Sequence, residues 1–334
     1  MEETLPPEEQ SLVNIEKIIK LPDIGVDKEF CTWTRVTLTS DKYICVRYKT
    51  QDSNNHSKKE KILALSFDGT ERHVSLPDGP ERAAISPPTQ CSTSNTKTSL
   101  LAYQDPLCLF DLDINLHTAE VVNYKVDDTL SWLAVTALIP EPNGIDAVTQ
   151  IYSAKRQISQ CISAHTILFT MYTTSCGNST CLLLCTAYRD TGSSGKVNIM
   201  PLSINQPICD NNTSAVTDSL TFPDDPNHYD FPVSLHAAST GGLLYVLTKY
   251  GLMYVCDMST AQCLCQVYIS KDVVFTSSLT AEGSGLIIVN RAGQVLQVDL
   301  DTESLRKYVE HRLNRPDVAK RLSALLSSDK QFDT

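Results

Sequence analysis

Leu243–Asp257 reads LLYVLTKYGLMYVCD, and Gly285–Asp299 reads GLIIVNRAGQVLQVD. Each stretch has an apolar run, a polar-basic pair, a glycine, an alternating run and a closing aspartate. Three equivalent pairs are each 42 residues apart: Lys249 and Arg291, Gly251 and Gly293, Asp257 and Asp299. Two apolar runs around a turn glycine are typical of a β-hairpin, because glycine accepts the positive φ of a tight turn. A hairpin that recurs near this spacing matches the pitch of a four-stranded propeller blade.

A further strand is expected after each closing aspartate, at Cys263–Ile269 and at Leu305–Val309, the second being ambiguous with helix. Turn signals separate other short apolar runs, and no strand–helix alternation suggests a doubly wound sheet. The chain is therefore expected to be an all-β closed array. The predicted strands are Thr34–Thr39, Tyr43–Tyr48, Lys61–Phe67, Leu100–Tyr103, Leu107–Leu112, Val121–Val126, Trp132–Leu138, Ala147–Ser153, Ile167–Tyr172, Leu182–Tyr188 and Lys196–Leu202.

The two ends of the chain differ from this β-rich body. We expect residues 1–12 to be disordered, residues 1–300 to hold the β domain and residues 301–334 to begin a helical one. Thr302 or Ser304 can cap a first helix, and Pro316 can open a second. Long polar loops are predicted at Gln51–Lys59, Asp78–Thr98 and Asn205–Asp230.

Composition limits the function classes. Lys and Arg number 28 against 39 for Asp and Glu, a net charge of −11. Such a chain is a poor candidate for binding nucleic acid or docking directly on an anionic bilayer. No apolar run is long enough for a membrane span, and the start lacks the features of a signal peptide, which predicts the cytosol.

The sequence lacks the motifs by which common classes of enzyme are recognised. No metalloprotease helix motif, phosphate-binding loop, nucleophile elbow or paired-carboxylate motif occurs. The 12 cysteines form no CxxC pair, so we expect reduced thiols and no metal or cofactor. His165 stands at the mouth of a strand and is interpreted as structural. The chain is therefore predicted not to be an enzyme.

Ordered blocks of residues resemble the N-terminal domain of the clathrin heavy chain, over about three quarters of the chain. The blocks are Thr39–Arg47, Val122–Tyr124 with Trp132, Ile151–Ser153 with Arg156, Ser159–Gln160 and Ala164–His165, Phe231–Val233, Leu247–Gly251, Val289–Leu296 and Asn314–Asp317.

The resemblance implies a β-propeller of seven blades that leads into the helical zigzag of the clathrin leg. It implies a non-enzymatic coat protein of coated pits and vesicles, which captures short motifs in adaptor or cargo proteins and meets the membrane only through adaptors. Ser40 and Asn123 are 83 residues apart, about one blade shorter than in the family. Either the ring closes with six blades or one blade is degenerate. Association with other heavy chains is expected only if the chain continues beyond residue 334.

The resemblance carries over one peptide-binding groove best, the groove between the family's fourth and fifth blades. Arg156 would hold a peptide carbonyl or carboxylate, and Gln160 would bond to extended backbone. The isoleucines would line apolar pockets. A strand and turn with a solvated arginine is the alternative interpretation. The groove residues are Trp132, Ile151, Arg156, Ile158, Ser159, Gln160 and Ile162.

A second, central-cavity site that takes a tryptophan-containing peptide in the family matches Trp33, Glu120 and Val122. The family has Phe at the first position and Gln at the second. The aromatic change keeps a stacking surface, whereas glutamate loses an amide donor and adds a charge. Trp33 is equally well interpreted as a core aromatic.

The family's clathrin-box groove is not carried over. Its best register falls on Pro106, Cys108, Phe110, Asn115 and His117, where only the phenylalanine matches and both cations are gone. Attraction for an acidic peptide would therefore be weak.

Two other function classes stay open at this point. One is a divergent WD-like propeller scaffold unrelated to membrane coats, although no Gly-His…Trp-Asp repeat occurs. The other is a propeller hydrolase, which would need an acid–base or nucleophile cluster at the central channel.

Overall fold

The computed structural model describes residues 7–38, 43–51, 58–67, 71–75, 120–129, 131–142, 144–153, 158–173, 180–190, 192–202, 215–225, 228–238 and 242–329. Within these residues, strands form five four-stranded antiparallel sheets that are arranged as the blades of a propeller. Short helices lie at both ends of the chain.

Blade one contains β2 (Val36–Thr37), β3 (Tyr43–Gln51), β4 (Lys58–Ser66) and β5 (Glu71–Ser75). Blade two contains β6 (Glu120–Val126), β7 (Trp132–Glu141), β8 (Gly144–Ser153) and β9 (Ile158–Ser163). Blade three contains β10 (Thr166–Thr173), β11 (Thr180–Arg189), β12 (Ser194–Pro201) and β13 (Val216–Thr221). Blade four contains β14 (Pro232–Ala237), β15 (Leu243–Thr248), β16 (Leu252–Asp257) and β17 (Cys263–Tyr268). Blade five contains β18 (Val274–Leu279), β19 (Leu286–Asn290), β20 (Gln294–Leu300) and β1 (Val13–Lys20).

Apolar layers between neighbouring blades form the core. Separate clusters of buried side chains join blade two to three, three to four, four to five, and five to one. The first strands of the blades also lie side by side, β10 against both β6 and β14, and β14 against β18. Residues 76–119, between blades one and two in the chain, lie outside the described part. The five blades seen in that part are fewer than the six or seven predicted.

The two repeated hairpins are confirmed. Gly251 connects β15 to β16 with φ 80°, and Gly293 connects β19 to β20 with φ 77°. The strand expected after Asp257 is β17. The alternative of a strand at Leu305–Val309 is wrong, because that stretch is helical. The fourth strand of blade five is instead β1, from the other end of the chain, which pairs with β20.

Helices α2 (Thr302–His311) and α3 (Pro316–Asp329) follow β20 directly. The cap of α2 is Asp301 rather than Thr302 or Ser304, since its Oδ1 accepts a 3.0 Å hydrogen bond from the Ser304 amide. Leu305 and Val309 of α2 pack with Val318, Ala319 and Leu322 of α3 against the core of blades four and five. The helix pair is thus held on the propeller by one apolar face.

The N-terminal segment also packs on blade four. Helix α1 (Pro7–Gln10) places the carboxylate of Glu9 2.9 Å from the Gln266 amide and 2.8 Å from the Tyr308 hydroxyl. Gln10 exchanges two hydrogen bonds with the backbone of Tyr268. These contacts differ from the disordered segment expected over residues 1–12, of which residues 1–6 lie outside the described part.

The long polar loops that the sequence predicts are shorter in the structure or lie outside the described residues. The loop predicted over Asn205–Asp230 is wrong at Val216–Thr221, which forms β13 and pairs with β12. The loop predicted over Gln51–Lys59 is shorter, because β3 reaches Gln51 and β4 begins at Lys58. The predicted strands Leu100–Tyr103 and Leu107–Leu112, and the loop Asp78–Thr98, fall outside the described residues.

Candidate functional site: the interface between blades two and three

Strand register brings most of the predicted groove residues to one face of blade two. Trp132 pairs with Ser153, which pairs with Ile158. Residues opposite each other in an antiparallel sheet project to the same face, and every second residue along a strand does so as well. The shared face therefore carries four of the predicted residues: Trp132, Ile151, Gln160 and Ile162.

Of the other three groove residues, Ile158 and Ser159 begin β9, where they pair with Ser153 and Tyr152. Arg156 falls in the connection between β8 and β9, outside the described residues.

A tight turn fixes the start of β7, and with it Trp132. The buried carboxylate of Asp127 accepts hydrogen bonds from the backbone amides of Ser131, at 2.8 Å, and Trp132, at 2.6 Å. Its second oxygen accepts from the amide of Thr129 at 3.1 Å. An aspartate at this position satisfies the amides of its own turn, which is the ordinary chemistry of an Asx turn.

The deepest part of this face belongs to the interblade core. Trp132 is 4% exposed and Ile151 is 1% exposed. Both pack with Ile167 and Leu184 of blade three. These two side chains form a wall between the blades and present almost no open surface.

The outer part of the same face is only half-buried. Gln160 and Ile162 lie on β9, the edge strand of blade two. Ile162 packs against the buried cluster beside the half-buried side chains Phe169, Leu182, Met200 and Leu202 of the next blade and its end. The arrangement gives an apolar strip with one amide beside an edge strand.

Buried hydroxyls hold the three outer strands of blade two in register. Thr136 and Thr149 share a 2.9 Å hydrogen bond, and Thr149 donates a 3.0 Å bond to the carbonyl of Ala164. All three groups are buried, so each satisfied bond contributes about 1 kcal/mol and opposes slippage of β9.

His165, immediately after this blade, has a structural environment. Its Nε2 lies 2.9 Å from the Ile145 carbonyl, and its Nδ1 accepts from the Arg189 amide at 3.2 Å. Its ring also lies against those of Tyr188 and Phe231. Burial lowers the pKa of His165 to about 4. A neutral imidazole with both nitrogens occupied joins blades two and three, in agreement with its structural interpretation.

The second predicted site is more open. Trp33 is 51% exposed, on the turn between a short 3-10 helix (Lys28–Phe30) and β2. The interpretation of Trp33 as a core aromatic is therefore wrong. Val122 is half-buried at a β-bulge in β6, because Val121 pairs with Ala137 and Asn123 with Thr136. Glu120 begins β6.

The first strands also bring together a polar cluster that the sequence did not reveal. The Ser277 hydroxyl of β18 lies 2.8 Å from Nε2 of His236 and 2.7 Å from the Ser234 hydroxyl, both on β14. Burial, followed by the charge of Lys125, lowers the pKa of His236 to about 3. Such an imidazole is a weak base.

The remaining expectations concern the clathrin-box groove, metal binding and membrane spans. The clathrin-box register, Pro106 to His117, lies outside the described residues. In the part of the chain that the structure covers, no three His, Cys, Asp or Glu side chains are arranged to hold a metal ion. Across those same residues, every helix is too short or too polar to cross a bilayer.

Comparison with known proteins finds several similar relatives, among them three clathrin heavy chains. The clathrin heavy chain of Drosophila melanogaster is 27% identical over 93% of this chain and 21% of its own length. That of Dictyostelium discoideum is 25% identical over 92% and 20%. Human clathrin heavy chain 2 is 25% identical over 96% and 22%. This chain thus spans about a fifth of the length of each relative.

No protein-family model matches the chain. Among solved structures, the β-propeller domain of Cps50 (Swd1) from Myceliophteria thermophila is 12% identical, with a TM-score of 0.34 over 78% of this chain and 67% of that one. So distant a match supports no conclusion about this chain. The three relatives are far more informative, because this chain is similar to clathrin heavy chains along nearly its whole length. The resemblance predicted from the sequence blocks is therefore confirmed.

Proposed function

We propose that this chain is a clathrin-heavy-chain-like coat component whose propeller binds short linear motifs of adaptor or cargo proteins in vesicle traffic. It acts on the cytoplasmic face of coated pits and coated vesicles and reaches the membrane through adaptors. Association with other heavy chains is proposed only for a chain that continues past residue 334. The similarity to clathrin heavy chains supports the coat role, and no catalytic role is proposed.

The observation that carries the proposal is the shared face of blade two. Gln160 and Ile162 lie two residues apart on edge strand β9, above a wall formed by Trp132 and Ile151. An extended peptide can run beside this edge, with Gln160 bonding to its backbone and an apolar side chain entering beside Ile162. Such contacts are few and weak, so many copies in a coat would bind together by avidity.

Binding of fluorescent adaptor-tail peptides to the full chain tests this groove. Gln160→Ala is expected to weaken binding about fivefold, because a hydrogen bond that fixes peptide backbone contributes about 1 kcal/mol. Cys161→Ser is the matched control, since Cys161 is exposed on the same strand and faces the other way. Equal binding by wild type and Gln160→Ala would remove the groove assignment.

Arg156 and the central cavity are tested in the same assay. Arg156→Ala is expected to weaken peptides that carry a carboxylate more than peptides that do not. Trp33→Ala is expected to weaken only tryptophan-containing peptides, if Trp33, Glu120 and Val122 form the second site. Loss of all peptides in all three variants would indicate a folding defect instead.

The scaffold alternative makes a different prediction for the cell. A propeller unrelated to coats would not sediment with coated membranes, whereas the proposed coat component would. Fractionation therefore separates the two functions without reference to either peptide site.

A further inference from the structure

Two cysteines face each other across the last hairpin of blade four. Cys256 lies near the end of β16 and Cys263 begins β17, and the two residues are direct partners in the antiparallel register. Directly opposed residues in such a pair have Cα atoms about 4.5–5.5 Å apart. A disulfide needs a Cα separation of about 4.4–6.8 Å, so this register is compatible with one.

A β-bulge makes this pairing selective. Val255 pairs with Cys265 and Cys256 with Cys263, which leaves Leu264 as the extra residue. Cys256 and Cys263 accordingly lie in the core between blades three and four. Cys265 lies in the core between blades four and five. The bulge thus turns Cys265 away from the pair, although it is only two residues from Cys263.

The two thiols differ in their access to solvent. Cys256 is fully buried, and a hydrogen bond to Cys263 together with burial raises its pKa well above the ordinary value. Cys263 is half-buried, and its Sγ lies 3.5 Å from the carbonyl of Cys265. An oxidant from solvent can therefore reach Cys263 first, with Cys256 directly behind it.

We propose that Cys256 and Cys263 are an oxidative modification site that closes to an intramolecular disulfide. A peroxide oxidises the Cys263 thiol to a sulfenic acid and is itself reduced, with release of one water. The Cys256 sulfur then attacks the Cys263 sulfur, the S–O bond breaks, and the proton of the second thiol leaves with the hydroxide as another water. Excess low-molecular-weight thiol reverses the step by exchange.

The bridge would span the loop that anchors the C-terminal helices. Asp257, next to Cys256, bonds to Arg321 of α3 at 2.6 Å, and Gln262, next to Cys263, accepts from Arg315. The loop is already closed by a 2.8 Å bond from the Asp257 amide to the Gln262 carbonyl. A disulfide across its base fixes both anchors relative to each other, so oxidation is expected to slow hydrogen exchange in α3.

Peptide mapping of the full chain tests the site. The protein is treated with hydrogen peroxide, unfolded in the presence of an alkylating reagent that blocks the remaining thiols, and cleaved before aspartates without reduction. Cleavage before Asp257 separates Cys256 from Cys263 and Cys265. The bridge then appears as two joined peptides whose mass is the sum of the two, with Cys265 alkylated, less two hydrogen atoms. Oxidation of the exposed Cys161 confirms that the peroxide was effective.

Three variants decide between outcomes. Cys263→Ser is expected to abolish the joined peptides, while Cys265→Ala retains them. Cys256→Ala removes the bridge at the buried position, and the circular dichroism and melting of all three variants show that they fold. The proposal is overturned if oxidised Cys161 is found without the bridge, if Cys265→Ala removes the bridge, or if Cys263 pairs with Cys265.

Discussion

Blades four and two use the same four-stranded plan but bury it differently. Every residue of β15 and β16 in blade four is buried, because one face packs on blade three and the other on blade five. In blade two, β7 is buried only over its first part, and β6 exposes Tyr124 and Val126. The two middle strands of blade four are thus buried along their whole length, whereas the strands of blade two are buried over only part of theirs.

This difference explains why one blade is easier to recognise than the other. Two packed faces demand an unbroken apolar run, and that run repeats in the next blade with the same turn glycine. Blade two mixes polar and apolar positions along β9, and its features are visible only once the strands are aligned. Blade two, whose strands are harder to predict from the sequence, is also the blade that carries the candidate groove.

Truncation of a core side chain should lower the free energy of unfolding far more in blade four than in blade two. Tyr254 of blade four is 1% exposed, and its hydroxyl donates a 2.7 Å bond to the Thr221 carbonyl of blade three. We expect Tyr254→Ala to lower the free energy of unfolding by about 3–5 kcal/mol. Half-buried Ile162 in blade two should lose only about 1–2 kcal/mol on the change to alanine.

Urea unfolding measures both changes. Tyr254→Phe is the control, because it keeps the ring and removes only a hydrogen bond worth about 1 kcal/mol. Equal losses at Tyr254 and Ile162 would mean that the two blades do not differ in packing.

Acid should lower the stability of the folded chain by a somewhat smaller amount, through the buried histidine that joins blades two and three. The pKa of His165 is about 4 in the folded chain, against 6.5 as its ordinary value. Between these values the unfolded state binds the proton and the folded state does not, so stability falls as pH drops from about 6.5 to about 4. His165 alone would account for about 3 kcal/mol of that loss.

Melting across this pH range checks the acid effect. His165→Gln should flatten the pH dependence, since glutamine keeps a donor for the Ile145 carbonyl without titrating. His236→Gln should flatten it as well, because burial lowers the pKa of His236 to about 3. An unchanged slope in both variants would contradict the neutral, buried state of these imidazoles.

Replacing a glycine by alanine should give a smaller difference in stability between blades four and two. An added Cβ at Gly251 would clash with the Ser270 carbonyl oxygen, and the backbone there has φ 80°. At Gly144 in blade two, the Cβ would meet the ring of Tyr229 at 2.5 Å, a side chain that can move. We expect Gly251→Ala to cost about 2–3 kcal/mol and Gly144→Ala about 1 kcal/mol or less, measured by thermal melting. The reverse order would show that the Tyr229 ring is held more rigidly than the turn of blade four.

Much of the fold was predictable because it rests on local patterns. Apolar runs bounded by turn residues predicted three strands in each of blades two to four, all except β9, β13 and β14, together with the hairpin β19–β20 of blade five, and α3 begins at Pro316 as predicted. Strands β9, β14 and β18 were not predicted. The polar run Val216–Thr221 was missed, because β13 is a blade edge with exposed side chains and lacks an apolar signature. The role of β1 was missed for another reason, since its partner β20 is almost the whole chain away.

The candidate groove was predictable only through resemblance. Ile158, Gln160 and Ile162 show the two-residue period of one strand face, but nothing local relates them to Trp132 or Ile151. The polar cluster of Ser234, His236 and Ser277 left no signal at all, because its members come from neighbouring blades.

By itself, the sequence determined that repeated hairpins build this chain, where their turns fall and that a helical segment follows. Those features depend on side-chain alternation and glycine geometry within a few residues. Only the tertiary structure decided which strand completes blade five, which cysteines pair across the last hairpin of blade four and which side chains share one face of blade two. Pairing between distant segments depends on how whole faces fit together, and no short stretch of sequence contains that information.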